Sequence, residues 1–200
     1  MDAAKLGKCD GILPVADQSR GRTGQSGRDL SDAGPAPIIV TALFGGEDQA
    51  WFDGQRRAYF PPERNVLAAH CTMFHHLAPE LGTELKRRLS TLTRGQPSPI
   101  ARVGGLMNLG RGVAYRIESP ELEAIRADLA DAFASMLVPQ DRAGWRPHVT
   151  VQNKVEPAVA RALLAQLDAG FAPRPLKVAG LASWWYRGGP WEPLSRHMFA

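Results

Sequence analysis

The chain has 200 residues, 44% of them hydrophobic and 22% charged. That is enough to bury a core, and it excludes a disordered or collagen-like chain as a whole. The net charge of +4 is compatible with a polyanionic substrate but does not by itself argue for nucleic-acid binding. The longest apolar stretch, residues 36–44, is too short to cross a bilayer as a helix, and residues 1–10 lack the basic-then-apolar order of a secretory leader. The two cysteines, Cys9 and Cys71, argue against a disulfide framework or a cysteine-built zinc site, and they fit a reducing cytoplasm.

In chain order, residues 1–34 come first as an expected flexible tail. Gly, Ser, Arg and Asp dominate them, no apolar period is visible, and such a stretch buries too little to offset its ordering entropy. Its Arg-Gly pairs read as a solvated linker, with an RNA-brushing arm as the sharper alternative. The tail's Lys and Arg balance its Asp, so the positive excess belongs to residues 35–200.

That region alternates strands and helices. Ile38–Phe44 is β-branched and apolar, a buried strand. A weaker helix follows over 47–59, with Phe52 and Tyr59 on one face, then a short strand over 68–74. Residues 79–94 carry Leu81, Leu85, Leu89 and Leu92 at helical spacing between Pro79 and Gly95. Segments 100–109 and 112–117 form a hairpin around Gly110-Arg111-Gly112. The clearest helix, over 119–137, has Ser119 as cap, Pro120 in its first turn and a stripe of Leu122, Ile125, Leu129, Phe133 and Met136. A strand over 148–155, a helix over 156–170 with Val159, Leu163 and Leu167 inward, and strands over 176–186 and 191–199 complete the chain.

A repeat emerges. His70 and His148 stand 78 positions apart, as do the helix-opening Pro79 and Pro157, and the Arg111-Gly112 and Arg187-Gly188 turns stand 76 apart. A period this long is no solenoid unit. It predicts an α+β fold of two duplicated lobes, each a small, mostly antiparallel sheet with flanking helices, related by a pseudo-two-fold axis around a central cleft.

Each repeat carries the same triplet on a strand. The first is His70-Cys71-Thr72, followed by Met73-Phe74; the second is His148-Val149-Thr150, followed by Val151-Gln152. Side chains alternate along a strand, so each histidine shares a face with its threonine while the intervening residue points into apolar packing. One His-x-Thr triplet arises often by chance; two at equivalent positions of a repeat do not. Two imidazoles flanking a cleft form an acid–base pair near pH 7, and the two hydroxyls can donate to phosphate oxygens. Proton transfer by the histidines requires no metal or other cofactor.

The paired triplets, the doubled lobes and the closing Tyr186-Arg187-Gly188-Gly189-Pro190-Trp191-Glu192 resemble the two-histidine (2H) phosphoesterase superfamily, in its 2′-5′ RNA ligase-like branch. The resemblance covers about residues 36–200. It implies a bilobal fold with a central cleft and a metal-independent enzyme that hydrolyses 2′,3′-cyclic phosphates to 2′-phosphates, or makes or opens 2′-5′ linkages. His70 and His148 would be the catalytic pair and Thr72 and Thr150 the phosphate ligands, with a lean towards His148 as base and His70 as acid. Cys71 fills a position more often aliphatic. RNA ends or cyclic nucleotides would be the substrates; neither a membrane nor an obligate protein partner is called for, and a monomer is expected.

Other residues are substrate-binding candidates. Gln152 and Lys154 share His148's strand face by the period of two, and Lys154 either reaches a phosphate or snorkels at the strand end. Arg102, Arg111, Arg116 and Arg146 face cleft or solvent. Trp184 and Tyr186 share one face, with Trp185 opposite; one of these, or Trp191, can stack on a nucleobase, while core packing is the default for each. His75 and His76 read as loop residues, and His70, His75, His76 and His148 match no recognised zinc spacing. The rival reading is a non-catalytic RNA-binding module, which would need positive charge rather than titrating groups. Other cyclic phosphates, such as ADP-ribose 1″,2″-cyclic phosphate, or 2′-5′ oligonucleotides are open alternatives as substrate. Hydrolysis of a cyclic mononucleotide in EDTA, with a bell-shaped pH profile, separates enzyme from binder.

Overall fold

The computed structural model describes residues 35–200; the expected tail lies outside the described residues. Seven strands form, β1 (Ile38–Phe44), β2 (Cys71–Leu77), β3 (Ile100–Asn108), β4 (Val113–Glu118), β5 (His148–Gln152), β6 (Arg174–Trp185) and β7 (Glu192–Met198). The helices are α1 (Gly46–Tyr59), α2 (Gly82–Thr93), α3 (Pro120–Ala132), α4 (Pro139–Arg142) and α5 (Pro157–Ala169). The strand order is β2-β1-β6-β3-β4-β5, with β7 also on β6, and every pairing is antiparallel. The fold is α+β, as expected.

The duplication is visible, with one exchange. Each repeat runs strand, helix, strand, helix, strand. Its third strand does not stay at home: β3 follows α2 but pairs with β4, while β6 returns to pair with β1. Twelve-residue β6 belongs to both ladders, through Val178–Trp185 beside β1 and Arg174–Lys177 beside β3. The lobes are therefore not self-contained halves of the chain.

The apolar faces merge into one core, with Ile38, Val40, Phe52, Met73, Leu85 and Leu89 from the first repeat and Tyr115, Ile117, Leu122, Leu129 and Val149 from the second. Ser119 caps α3 as expected, its Oγ accepting from the Leu122 N–H at 3.2 Å. The helix is shorter than its apolar stripe suggests. It ends at Ala132, a 3₁₀ turn follows over Ala134–Met136, and Met136 is exposed. The chain leaves helical geometry at Phe133, and Leu137 and Val138 are extended before Pro139 opens α4. In α5 the inward residues are Ala160 and Leu163, with Leu167 packed beside them; Val159, expected inside, is exposed.

The largest correction concerns β2. It runs to Leu77, so His75 and His76 lie on the strand rather than in a loop. Two register shifts against β1 break its period of two: Thr72 faces Thr41 and Leu77 faces Ile38, with Phe74 opposite Val40. Met73 and Phe74 are consequently both buried and His75 and His76 both exposed. At the other end, β5 stops at Gln152, short of the expected Val155, because Lys154 adopts a positive φ of 60°. The hairpin before β4 closes tightly on this end of β5. A Cβ on Gly112 would lie 2.0 Å from the Gln152 carbonyl oxygen, so only glycine fits.

Candidate active site

The strands β2 and β5 end the sheet path at opposite edges, yet they face each other. The Trp145 indole donates to the Thr72 carbonyl at 2.8 Å, and the Arg56 guanidinium donates to the Thr150 carbonyl at 2.8 Å. Asp141 of α4 accepts from the His75 and His76 backbone N–H groups, each at 2.9 Å. The Cys71 side chain meets the His148 backbone, and burial pushes its thiol up to about 12, so it is an inert filler. These ties bring the two His-x-Thr triplets together.

His70 enters β2 from a loop held by α1. Asp53 accepts from the Ala69 N–H at 2.6 Å and Gln49 donates to the Ala69 carbonyl at 2.9 Å. His70 Nδ1 lies 2.8 Å from the Ala68 carbonyl oxygen, and His148 Nδ1 lies 2.7 Å from that of Arg146. In each repeat the ring bonds the carbonyl two residues upstream. A carbonyl oxygen only accepts, so each Nδ1 carries the proton and each Nε2 is left to exchange one. Neutral, it accepts a proton; protonated, it donates one. Both rings are half-buried, as are Thr72 and Thr150 on the same faces, while Cys71, Val149 and Val151 are buried behind them.

The two imidazoles are not electrostatically equal. Desolvation lowers His70 to about 4, aided by the charges of Arg56, His148 and His75 and opposed by its bond to Ala68. His148 is also lowered, chiefly by desolvation and then by His75 and Arg146. That His148 acts on His70 places the two rings within electrostatic reach.

The remaining candidates divide. Trp191 is beside the site: its ring centroid is 4.5 Å from that of His70. Trp184 stands 6.3 Å from Trp191 and donates to the Thr41 hydroxyl at 2.9 Å. Trp185 points the other way, against Gly82 of α2. Tyr186 is half-buried just beyond β6, its N–H bonded to the Pro37 carbonyl. Lys154 lies past the end of β5, exposed, so the strand-face argument does not reach it. Gln152 is buried, with its Oε1 unpaired. Arg111 sits in the β3–β4 turn, paired with Glu156 at 3.0 Å. Among the described residues, no three His, Cys, Asp or Glu side chains group as metal ligands, and no helix is long and apolar enough to cross a membrane.

Arg56 escaped sequence reasoning. It is 5% exposed, stacked 4.2 Å over Phe60 and bonded to Asn65 and Thr150. Nothing in the sequence separates it from its neighbour Arg57; only its inward position on α1, one turn after buried Phe52, hinted at burial.

A profile of the 2′-5′ RNA ligase superfamily matches residues 46–190. The chain belongs to that superfamily. It is thereby a two-histidine phosphoesterase by descent, and the superfamily acts on RNA and nucleotide phosphates. Among solved structures, E. coli LigT complexed with 3′-AMP is similar over 83% of this chain and 99% of its own, with TM-score 0.53 and 17% identity. TT0787 of Thermus thermophilus is similar over 82% of this chain and 97% of its own, with TM-score 0.54 and 16% identity. At such identities the likeness speaks for the fold. No curated protein matches.

Proposed function

We propose that residues 35–200 form a phosphodiesterase that opens RNA 2′,3′-cyclic phosphate ends, or related cyclic and 2′-5′ phosphodiesters, by proton transfer between His70 and His148. The observation that supports this is the mirrored pair of ring bonds, which leaves the Nε2 of each imidazole to exchange a proton, on strands tied together through Trp145, Arg56 and Asp141. A binding module would have no use for matched tautomers.

Water attacks phosphorus in line. The neutral imidazole takes the water proton at Nε2, while the protonated imidazole gives its Nε2 proton to the departing ribose 3′-oxygen. The P–O3′ bond breaks, and the product is a 2′-phosphate with a free 3′-hydroxyl. Thr72 and Thr150 donate to the non-bridging oxygens. With a 5′-hydroxyl in place of water as the attacking group, the same forward steps form a 2′-5′ linkage, and their reverse opens that linkage to a cyclic phosphate and a 5′-hydroxyl. The resemblance leans towards His148 as base, but His70 sheds its proton more readily, and that order favours His70 as base and His148 as acid.

The test is turnover of a 2′,3′-cyclic mononucleotide in the presence of EDTA. His70→Ala and His148→Ala are each expected to lower kcat by about 10²–10⁴-fold. Full activity in either variant would falsify the pairing. A p-nitrophenyl phosphodiester, whose leaving group needs no proton, assigns the roles: His148→Ala should retain more activity on it than His70→Ala. The opposite order restores the base to His148.

A further inference from the structure

The cleft has two unlike flanks. On the His70 side stand Trp191 and Trp184. On the His148 side the register places a charged residue: Arg116 of β4 pairs directly with His148 of β5. Directly paired residues share a face, with Cβ atoms about 4.5–5.5 Å apart. The opposite face of β4 is settled by the core, where Val113, Tyr115 and Ile117 are buried. Arg116 therefore stands on the cleft face, next to His148 and on its far side from β2.

Its guanidinium does not lean on the imidazole. It lies over β3, where Nη2 donates to the Gly104 carbonyl at 3.2 Å and Nη1 pairs with Glu118 at 2.5 Å. Glu118 also binds Arg102 at 2.6 Å, so two arginines share one carboxylate and this face keeps a positive charge. The bed is cut to fit. A Cβ on Gly104 would lie 2.2 Å from the Glu118 carboxyl carbon, and one on Gly105 would lie 3.0 Å from Arg116 Nη2. Substitution at either glycine would displace the fork. Almost half of the Arg116 side chain remains exposed to take a ligand.

We propose that Arg116, held by Glu118 over the Gly104-Gly105 floor, binds a second phosphate of the substrate, one linkage from the phosphate between the histidines. The substrate class is then a nucleotide or oligonucleotide carrying a 5′-phosphate or a further internucleotide linkage, not a nucleoside cyclic phosphate alone. A guanidinium is the residue suited to such a planar, bidentate contact. The aromatic flank beside His70 is left for the base, which sets the direction of the bound strand. The inference rests on the reaction proposed above, because it takes the histidine cleft as the seat of the first phosphate.

The test is equilibrium binding, which needs no turnover. Adenosine 2′,5′-bisphosphate and adenosine 2′-monophosphate are titrated against wild type, Arg116→Gln and Gly104→Ala at several salt concentrations. Wild type should bind the bisphosphate about tenfold tighter, as expected for one added charge-assisted contact. Arg116→Gln should erase most of that preference and weaken the salt dependence of bisphosphate binding. Gly104→Ala, which retains the arginine but evicts its carboxylate partner, should weaken the preference in part. Equal affinities in wild type, or an undiminished preference in Arg116→Gln, overturns the proposal. If the preference holds while no cyclic phosphate is turned over, the second-phosphate site stands and the proposed reaction falls.

Discussion

His70 is the residue at which chemistry and stability meet. Its pKa is lowered to about 4, mainly because the ring is desolvated in the cleft wall. In the unfolded chain it returns to about 6.5. Between these values the unfolded state binds the extra proton, so stability rises with pH across the interval and is lost as pH falls from about 6.5 towards 4. His148 and His197, both also lowered by burial, act in the same direction. Asp141 adds to the decline only at the lower end of that window: burial would raise its pKa, but bonds from His75 and His76 outweigh this and lower it, so its contribution is lost as pH falls into the ordinary carboxylate range at about 4. Melting temperature measured from pH 7.5 to 4 should therefore decline, and His70→Asn, which keeps a donor for the Ala68 carbonyl, should flatten that decline without abolishing it. An unchanged slope in His70→Asn would show that the ring is not desolvated in the folded protein.

Among the elements, β2 shows why part of the site was legible in the sequence and part was not. The His-x-Thr triplets were readable because alternation holds over those three residues, although β2 itself begins only at Cys71 and not at the expected residue 68, and Cys71 and Val149 are buried where the pattern puts them. Beyond Thr72 the alternation fails at two register shifts, so no period could place His75 and His76. What holds the irregular stretch is distant in sequence: the Asp141 carboxylate accepts from both backbone N–H groups and from the His75 ring at 3.2 Å. Arg56 was hidden for the same reason, since its partner is the Thr150 carbonyl of the other repeat. Asp141→Ala should leave two backbone donors without their acceptor and cost about 1–3 kcal/mol in chemical denaturation. It should also lower turnover, because Thr72 lies on the strand that the carboxylate anchors. Wild-type stability in this variant would mean that water replaces the carboxylate and that the clamp is incidental.

At the scale of the whole molecule, the exchanged third strands decide how the lobes behave. Spacing in the sequence revealed two repeats, but a repeat period cannot say whether a strand pairs within its own half, because that choice is made by long-range ladder bonds. Here β6 runs through both ladders, and the apolar faces of both repeats share one core. Neither lobe can lose its structure without unpairing a strand of the other. Residues 35–200 should consequently unfold in one cooperative step, with tryptophan fluorescence and far-ultraviolet circular dichroism tracing the same transition. Leu89 of α2 and Leu122 of α3 are both fully buried, in different repeats. Leu89→Ala and Leu122→Ala should each cost about 2–5 kcal/mol. Each should move the entire transition and lower amide-exchange protection in β1 and β5 alike. Were Leu89→Ala to split the transition, or to loosen β1 and leave β5 fully protected, the histidines would rest on two separately stable platforms. Cleft geometry would then depend on a hinge between them rather than on a shared strand.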